Sequence, residues 1–458
     1  MRVCWWFLLV FGMSFGAVAD ILRQFEVELK QTSYFSEAKE STHLNDYSDA
    51  FFRYYYLEKT PQDQSEVDLK GYLSLNLEKE QYFSIPNMYY RINWDHFQLT
   101  FGRKHFIWSE WDESWHQGLW EPQFRMDPLR PESQGLLGIF LQREEERFKW
   151  TLFFSTLFIP DQGPNIRVQD GIVFSNNRWF VGPSTEGSLS SAGDLYYNIY
   201  YPSLSDVIYN RTLAFQVYLG RSLGSWLSVQ AAQKPKNQLS LSIDLNQSPN
   251  LKKTNVEIYP FVLFHRLYTI ESGYKGKQWK FFVSWNQEEI LQDNQSVPGV
   301  ALLPKQSQYY GLGYQTALDF LGIPLSEIHF VTFRQVKTNK EISLNSDEEK
   351  IKELILRESL LEDSTLSHLF ENALKFGASK NVFFSGGKKI IISFDYVWDV
   401  QQDGRFFTAS LNYQPSQRWS FYMGADVLSQ NKQSMEDKGF FSEFKGNDRV
   451  FGGFSYVF

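Results

Sequence analysis

The chain has 458 residues, a formal net charge of -8 and a single cysteine. An acidic chain is a poor nucleic-acid binder because phosphate binding needs a basic surface, and one cysteine excludes a disulfide scaffold or a cysteine-based zinc site. Aromatic residues make up 17% of the chain, yet its mean hydropathy is -0.38. The predicted fold therefore has to account for a negative mean hydropathy together with many large apolar side chains.

Residues 1–19 have the features of a secretory signal peptide. Arg2 gives a positive start, an uncharged apolar run follows, and Ala17-Val18-Ala19 precedes the polar Asp20. This order is typical of a signal that is cleaved near Ala19. The alternative is a transmembrane anchor, which the small residues and the polar sequence after them disfavour. We therefore predict an exported chain that begins near Asp20 and lacks cysteine.

From Asp20 onward, apolar residues recur at every second position in about twenty segments. The clearest are Ile390–Trp398, Phe407–Tyr413 and Trp419–Val427, which are separated by short turn sequences. This period predicts β-strands with one apolar face. The twenty include Gln238–Leu245 and Thr254–Phe264.

Two of these segments, Tyr268–Tyr274 and Val382–Gly386, are the least regular. Bacterial single-chain barrels have even strand numbers, so setting both aside predicts about 18 strands, within a range of roughly 16–20.

The connections between the segments alternate in length. Tight ones such as Asp95-His96 are interleaved with long ones at Trp108–Gln134, Phe158–Arg211, Asn286–Lys305 and Lys337–Asn381. Short turns on one side and long loops on the other are typical of a transmembrane antiparallel β-barrel, which we predict over residues 20–458. Because only one face of each strand meets lipid, mean hydropathy stays low. The alternative is a secreted β-sandwich or propeller, which would bury an alternating face equally well.

The period changes over residues 346–377. Apolar residues there recur every three or four positions, acidic residues come early, and Lys375 comes late. This pattern predicts a helical insertion in the barrel. It is either a gating element or an extracellular or periplasmic insertion.

The last strand ends on Phe458, with Tyr456 and Phe454 on the same face. This ending resembles the C-terminal targeting signal of Gram-negative outer-membrane proteins. The resemblance implies recognition by the barrel assembly machinery and a location in the outer membrane of a Gram-negative bacterium.

A second resemblance is local. The run Phe97–Asp112, with Gly102-Arg103-Lys104 and Trp108-Ser109, is followed by Asp127-Pro128-Leu129-Arg130-Pro131-Glu132. It is similar to a pattern in porin-like barrels of the alginate-export and phosphate-selective-porin kind, which have Gln at the position of Lys104 and Gly at that of Ser109. The resemblance implies a porin-like channel.

The same stretch supplies candidate pore residues. Alternation places Lys104 in the lumen, and Arg103 breaks the pattern, so it lies at the rim or follows a bulge. The loop after it is rich in tryptophan and in both charge signs, and folded inward it would narrow a pore. The alternative is a surface loop whose tryptophans lie at the membrane interface. The constriction candidates are Arg103, Lys104, Glu110, Asp112, Glu113, Arg125 and Asp395.

The sequence has no Walker A loop and no zinc-like histidine spacing. We predict a porin-like outer-membrane channel for passive or selective passage of small polar solutes, without enzymatic activity, cofactor or metal. The expected partners are outer-membrane lipid, the barrel assembly machinery and a small polar solute, with no nucleic acid. The alternatives are a barrel-borne outer-membrane enzyme and a secreted carbohydrate-binding or adhesive β protein.

Overall fold

The computed structural model describes residues 20–37, 43–77, 80–183, 194–221, 223–247, 253–291, 298, 304–320, 323–339, 369–384, 387–431 and 439–458. The predicted signal peptide, residues 1–19, lies outside the described residues, as do residues 346–368 of the predicted helical insertion.

The described chain is almost entirely strand and connection. In chain order the strands are β1 (Asp20–Tyr34), β2 (Asp46–Lys59), β3 (Asp63–Ser74), β4 (Gln81–Trp94), β5 (Phe97–Lys104), β6 (Gln123–Phe124), β7 (Glu132–Ser133), β8 (Leu136–Glu144), β9 (Phe148–Ser155), β10 (Arg167–Gln169), β11 (Ile172–Phe174), β12 (Asp194–Ile199), β13 (Thr212–Gly220), β14 (Gly224–Pro235), β15 (Ser240–Gln247), β16 (Lys253–Phe261), β17 (Phe264–Lys275), β18 (Trp279–Leu291), β19 (Pro304–Phe320), β20 (Ile323–Asn339), β21 (Asn372–Phe383), β22 (Lys389–Asp399), β23 (Gly404–Gln414), β24 (Trp419–Gln430) and β25 (Arg449–Val457). The helices of the described part are short: α1 (Glu110–Trp115), α2 (Leu204–Ile208) and α3 (Phe440–Phe444). None of them is long and apolar enough to cross a membrane.

Eighteen of these strands form one closed antiparallel barrel. Each barrel strand pairs with the barrel strands before and after it in the chain. The first and last strands close the ring: β1 pairs with β2 and also with β25, in a register that places Glu26 opposite Val457 and Tyr34 opposite Arg449. Closure leaves no unpaired edge, which a sheet in lipid requires.

The predicted strand number of 18 is confirmed, but the two segments set aside to reach it belong to the barrel, and two segments that were kept do not. Gln238–Leu245 and Thr254–Phe264 fall mainly in β15 and β16, which join β12 in a separate three-stranded sheet. Tyr268–Tyr274 is the centre of barrel strand β17, and Val382–Gly386 overlaps the end of barrel strand β21. Alternation shows that a strand has one apolar face, but not whether lipid or protein covers that face. In β15 and β16 the covering is protein, a small core that includes Val173 and Tyr197.

The last part of the predicted helical insertion is a strand. Residues 372–377 are the first half of β21. Here Phe376 points outward and contacts Phe330 at 4.8 Å between ring centroids, while Ala373 is fully buried. The apolar residues at this end therefore follow strand alternation, and a helix cannot extend to residue 377.

The two ends of the barrel differ. Tight connections, such as residues 95–96, 276–278 and 415–418, and the described chain ends lie at one end, which we call the turn end. The long connections, including residues 105–135 and 156–211, lie at the other, which we call the loop end. The predicted alternation of short and long connections is therefore present.

The outer face of the barrel is apolar. Outward side chains such as Leu213, Ile270 and Phe394 are 44% to 54% exposed. Aromatic residues gather near the turn end, where the ring centroids of Tyr274 and Trp279 lie 4.9 Å apart. A continuous exposed apolar band with an aromatic girdle matches a lipid-facing surface, whereas a secreted sandwich would bury it.

We expect Ile270→Arg to destabilise the barrel by about 2–4 kcal/mol, because it places a charge on the lipid-facing side of β17. The matched control is Ser410→Arg on β23, which extends into a lumenal cavity and should cost much less. Urea unfolding of both variants in lipid vesicles measures the difference. Equal losses of unfolding free energy would contradict this assignment of the two faces.

Candidate functional site

The connection between β5 and β8, residues 105–135, folds into the lumen, and we call it the Trp loop. Its tryptophans Trp108, Trp111, Trp115 and Trp120 are at most 6% exposed. The ring of Trp111 lies 5.2 Å from that of Phe333, an inward residue of β20. The alternative of a surface loop with interfacial tryptophans is therefore wrong.

A carboxylate of the barrel wall anchors the start of α1. Glu271 of β17, which is 1% exposed, accepts hydrogen bonds from Ser109 Oγ at 2.7 Å, from the Glu110 amide at 3.0 Å and from the Trp111 amide at 3.1 Å. The first amides of a helix have no intrahelical acceptor and carry partial positive charge, so a carboxylate there is stabilising. Glu271 therefore fixes α1 against one side of the lumen.

A second carboxylate closes the loop on itself. The two oxygens of Asp112 accept hydrogen bonds from the amides of Leu119 at 3.2 Å and Trp120 at 3.1 Å. Burial raises the pKa of Asp112 to about 6, although these amides favour the ionised form. Asp112 therefore acts as an internal brace of the Trp loop.

A single backbone carbonyl of β20 holds two tryptophans. Trp111 Nε1 and Trp115 Nε1 both donate to Thr332 O, at 3.0 Å and 3.1 Å. The β19–β20 pairing omits this position, and the Leu312 amide donates instead to Thr332 Oγ1 at 2.8 Å. The threonine hydroxyl thus replaces a ladder acceptor whose carbonyl is used by the loop.

The part of the Trp loop around Leu119 and Trp120 rests on β14, the strand that pairs with β17. Lys234, which is 1% exposed, donates from Nζ to Trp120 O at 2.9 Å, to Leu119 O at 3.2 Å and to Asn237 Oδ1 at 2.5 Å. A buried ammonium is stable only when its donors are satisfied, and here oxygen acceptors satisfy them. Trp120 Nε1 also donates to Thr269 Oγ1 at 3.2 Å.

The other half of the lumen is open. Two adjoining cavities, of about 630 Å³ and about 300 Å³, lie between the Trp loop and the remaining wall. Arg130 and Glu132 border both. The wall side of the cavities is formed mainly by β1–β4 and by β21–β25, and polar residues lining them include Lys30, Asp49, Tyr82, Lys375, Asp395, Thr408, Asn412 and Tyr422.

A charged cluster, made of Asp127, Arg130, Asp426 and Arg449, joins the end of the Trp loop to this wall. Arg130 binds both oxygens of Asp426 at 2.6 Å, and Arg449 binds Asp426 at 2.7 Å and Asp127 at 2.6 Å. Burial opposes ionisation of Asp127, but Arg449 and Arg130 outweigh it and hold the pKa of Asp127 below its usual value. The cluster is therefore a fixed set of charges beside the cavities.

Aromatic residues gather at the loop end of the barrel. Trp179 stacks on Phe440 of α3 with 6.1 Å between ring centroids. The neighbouring Arg178 donates to Ser36 O at 2.6 Å, to Asn45 Oδ1 at 2.8 Å and to Asn447 Oδ1 at 2.8 Å. One guanidinium thus ties together three connections at this end.

The sequence-predicted candidates have two different placements. Arg125 and Asp395 line the larger cavity, where Arg125 Nε lies 3.1 Å from Asp161 and Asp395 lies 2.8 Å from His329 Nε2.

Most of the other candidates lie in the Trp loop, whereas Lys104, at the end of β5, is tied to the neighbouring strand β8. Lys104 donates to Gln142 Oε1 at 2.7 Å, Glu110 pairs with Lys280 at 2.5 Å, and Glu113 lies 3.8 Å from His105.

Arg103 follows a glycine with an unusual backbone conformation, and β5 pairs with β4 and β8 through both residues without the register shift that a bulge would cause. Gly102 has φ 121°, and a Cβ there would lie 2.3 Å from Met88 O, so only glycine fits. Arg103 is 7% exposed and donates from Nε to Gly135 O at 2.9 Å. Its side chain therefore supports the loop base.

Sequence reasoning missed the residues that anchor the loop. Glu271 lies in Tyr268–Tyr274, a segment set aside as irregular, although a carboxylate between apolar neighbours was a signal of a lumenal partner. The role of Thr332 rests on its carbonyl, which any residue type has. Arg130 and Asp127 were noted for a resemblance, but their partners in β24 and β25 lie about 300 residues away.

Comparison with known proteins gives similarities of architecture. No family model matches the chain, and no curated protein matches it. Among solved structures, Acinetobacter baumannii OccAB1 is 10% identical with a TM-score of 0.49, covering 97% of this chain and 98% of that one. Pseudomonas aeruginosa OccD3 is 9% identical with a TM-score of 0.44, covering 97% and 93%.

Escherichia coli Wzi, described as a carbohydrate-binding β-barrel involved in group 1 capsule assembly, is 8% identical with a TM-score of 0.45, covering 95% of this chain and 85% of that one. At these identities the similarity concerns the barrel fold alone.

We expect Gly311→Ala to loosen the Trp loop, because a Cβ at Gly311 would lie 1.9 Å from Trp111 Cδ1. Overpacking of this kind costs about 1–3 kcal/mol. The matched control is Gly71→Ala, whose Cβ would lie 4.0 Å from its closest neighbour. Urea unfolding and acrylamide quenching of tryptophan fluorescence measure the effect. Identical behaviour of the two variants would show that Trp111 is not held against β19.

The Trp loop should also weaken in alkali. His105 Nδ1 lies 2.5 Å from Glu121, and this hydrogen bond raises the pKa of His105 to about 9 from 6.5. A raised folded-state pKa gives stability that is complete below pH 6.5 and is lost as pH rises through about 9. Asp112, with a pKa of about 6, is mostly ionised across this window.

Melting temperatures measured between these pH limits should therefore fall in the wild type and fall less in His105→Gln. A variant with the same slope as the wild type would assign the pH dependence to other groups.

Proposed function

We propose that this chain is a porin-like channel of the Gram-negative outer membrane that passes small polar solutes. The observation that carries the proposal is the asymmetric lumen. The Trp loop fills the side bounded by β14, β17 and β20, while polar cavities of about 630 Å³ and 300 Å³ run along the other side. A closed barrel with a polar interior and an inward loop is suited to selective diffusion.

The proposed orientation follows from the two ends of the barrel. In outer-membrane barrels the short turns face the periplasm and the long loops face outward. The turn end, with both described chain ends, is therefore assigned to the periplasm. Phe454 is 39% exposed on the outer face and Phe458 is 68% exposed, so both are accessible to the barrel assembly machinery. Export through a signal peptide cleaved near Ala19 is part of the same proposal.

The lumenal charges favour small solutes that carry polar groups of either sign. Lys375, Arg125 and Arg130 border the larger cavity together with Asp395 and Glu132. Glu132 is paired with Lys70 at 2.8 Å, so part of the negative charge is neutralised. Lys375 forms no ion pair with the described residues, and it contributes positive potential to the passage. No catalytic step is part of this proposal.

A second candidate is saccharide binding at the loop end. Tyr200 and Tyr259 stack at 5.0 Å between ring centroids on the β12–β16–β15 sheet, and Tyr259 donates to Glu257 at 2.7 Å. Aromatic faces beside a carboxylate are common in sites that bind polar ligands with apolar faces. Because these residues lie outside the lumen, this candidate requires no ion conduction, and conduction separates the two proposals.

In planar bilayers the protein should conduct ions, and Lys375→Gln should lower its anion-to-cation permeability ratio. Removing a lumenal positive charge reduces the local attraction for anions. The matched control is Lys380→Gln on the same strand, whose register partner Ile392 is an outward residue that is 46% exposed. A barrel that refolds without conducting would contradict the channel proposal, and equal ratios for both variants would place the selectivity elsewhere.

A further inference from the structure

We infer that the outer wall of the barrel carries a binding site for a lipid with an anionic phosphate headgroup at the loop end. The site is a groove of about 690 Å³ that crosses several neighbouring strands. Phe154, Leu213, Phe264 and Leu291 line its apolar part, and Arg211 lies among its polar residues. It is separate from the lumen and from the proposed solute path.

The apolar part of the groove continues the lipid-facing band. Phe154 is 44% exposed and Leu213 is 54% exposed, and they are register partners on β9 and β13. Phe264 and Leu291 are likewise register partners on β17 and β18. Acyl chains cover the lipid-facing apolar band of the outer wall. Because the groove extends this band toward the loop end, it is open to the same chains. This continuity identifies the occupant as a lipid.

The upper edge of the groove is built from a fixed segment with exposed apolar side chains. Leu204 and Tyr209, at the two ends of α2, are 78% and 72% exposed. The helix is nevertheless held down, because Val207 packs with Phe158 and Val262. Apolar and tyrosine side chains that a folded segment keeps exposed are typical of the headgroup region of a membrane.

Two arginines give the groove its charge. Arg211 lines the groove, and Arg266 lies on the outer face of β17, opposite Gln233 of the groove and two residues from Phe264. Both are exposed, and no carboxylate among the described residues lies within 4.0 Å of either guanidinium. Glu289 is the register partner of Arg266 without forming such a pair.

An arginine on a lipid-facing wall is costly unless its guanidinium reaches the interface, where a phosphate is its strongest partner. The combination of an apolar groove and two exposed arginines therefore matches a lipid with acyl chains and a phosphate, rather than an uncharged lipid.

The test uses the full chain in mild nonionic detergent, with diphosphoryl lipid A as the probe and native mass spectrometry as the measurement. The double variant R211Q/R266Q should bind this lipid at least about tenfold more weakly than the wild type, as expected for the loss of charge-assisted hydrogen bonds. R211K/R266K, which keeps the charge, should retain most of the binding. Heat-modifiable gel mobility confirms that each variant is folded.

The matched control is R405Q, which removes an exposed arginine that lies opposite the outward Trp398, away from the groove. It should leave binding unchanged. Equal binding of dephosphorylated lipid A, unchanged binding in R211Q/R266Q, or an equal loss in R405Q would each overturn the proposal. Competition by millimolar inorganic phosphate would also overturn it, because it would show a bare anion site instead of a lipid site.

Discussion

The constraint on which this structure depends is that no backbone amide or carbonyl of a lipid-exposed strand can stay unpaired. Pairing of β1 with β25 meets that constraint by removing the last free edge. Closure then gives every strand a lipid side and a lumen side. The apolar band on the outside and the polar cavities on the inside both follow from this alternation. The negative mean hydropathy and the abundance of aromatic residues therefore both result from strands that have one side in lipid and one side in the lumen.

Inside the ring the same constraint is relaxed at one point. The carbonyl of Thr332 leaves the β19–β20 ladder and accepts two indole N–H groups, while the threonine hydroxyl receives the Leu312 amide. The lumen side of a barrel thus tolerates a local exchange of partners, provided that every group is satisfied. This exchange and the Glu271 carboxylate together fix a long connection against the inner side of the barrel wall.

Much of the fold was readable from the sequence because a period of two is a local property. The strands and the inequality of the two ends follow from it, whereas the number of barrel strands came out right because two wrongly counted segments balanced two that were wrongly set aside. The group that covers an apolar strand face can come from a distant part of the chain, so the local pattern does not identify it. For this reason β15 and β16 were counted as barrel strands, although Tyr197 and Val173 cover them. The constriction candidates were chosen by charge, and most of them instead support the loop. The true anchors, Glu271 and Lys234, pair with atoms more than a hundred residues away, and no pattern in one sequence reports such distances.

The closure of β1 on β25 also has a consequence for how the chain folds. β1 pairs with β25, which lies more than 400 residues further along the chain, so the ring cannot be completed until both strands have been made. Contacts between distant parts of a chain form slowly, and an unpaired strand edge is prone to aggregation while it waits. The Trp loop has the same delay, since it follows β5 but docks on β17 and β20. Assembly of this barrel is therefore late and concerted. Until it is complete, the unpaired edges of β1 and β25 need protection from pairing with strands of other copies of the chain.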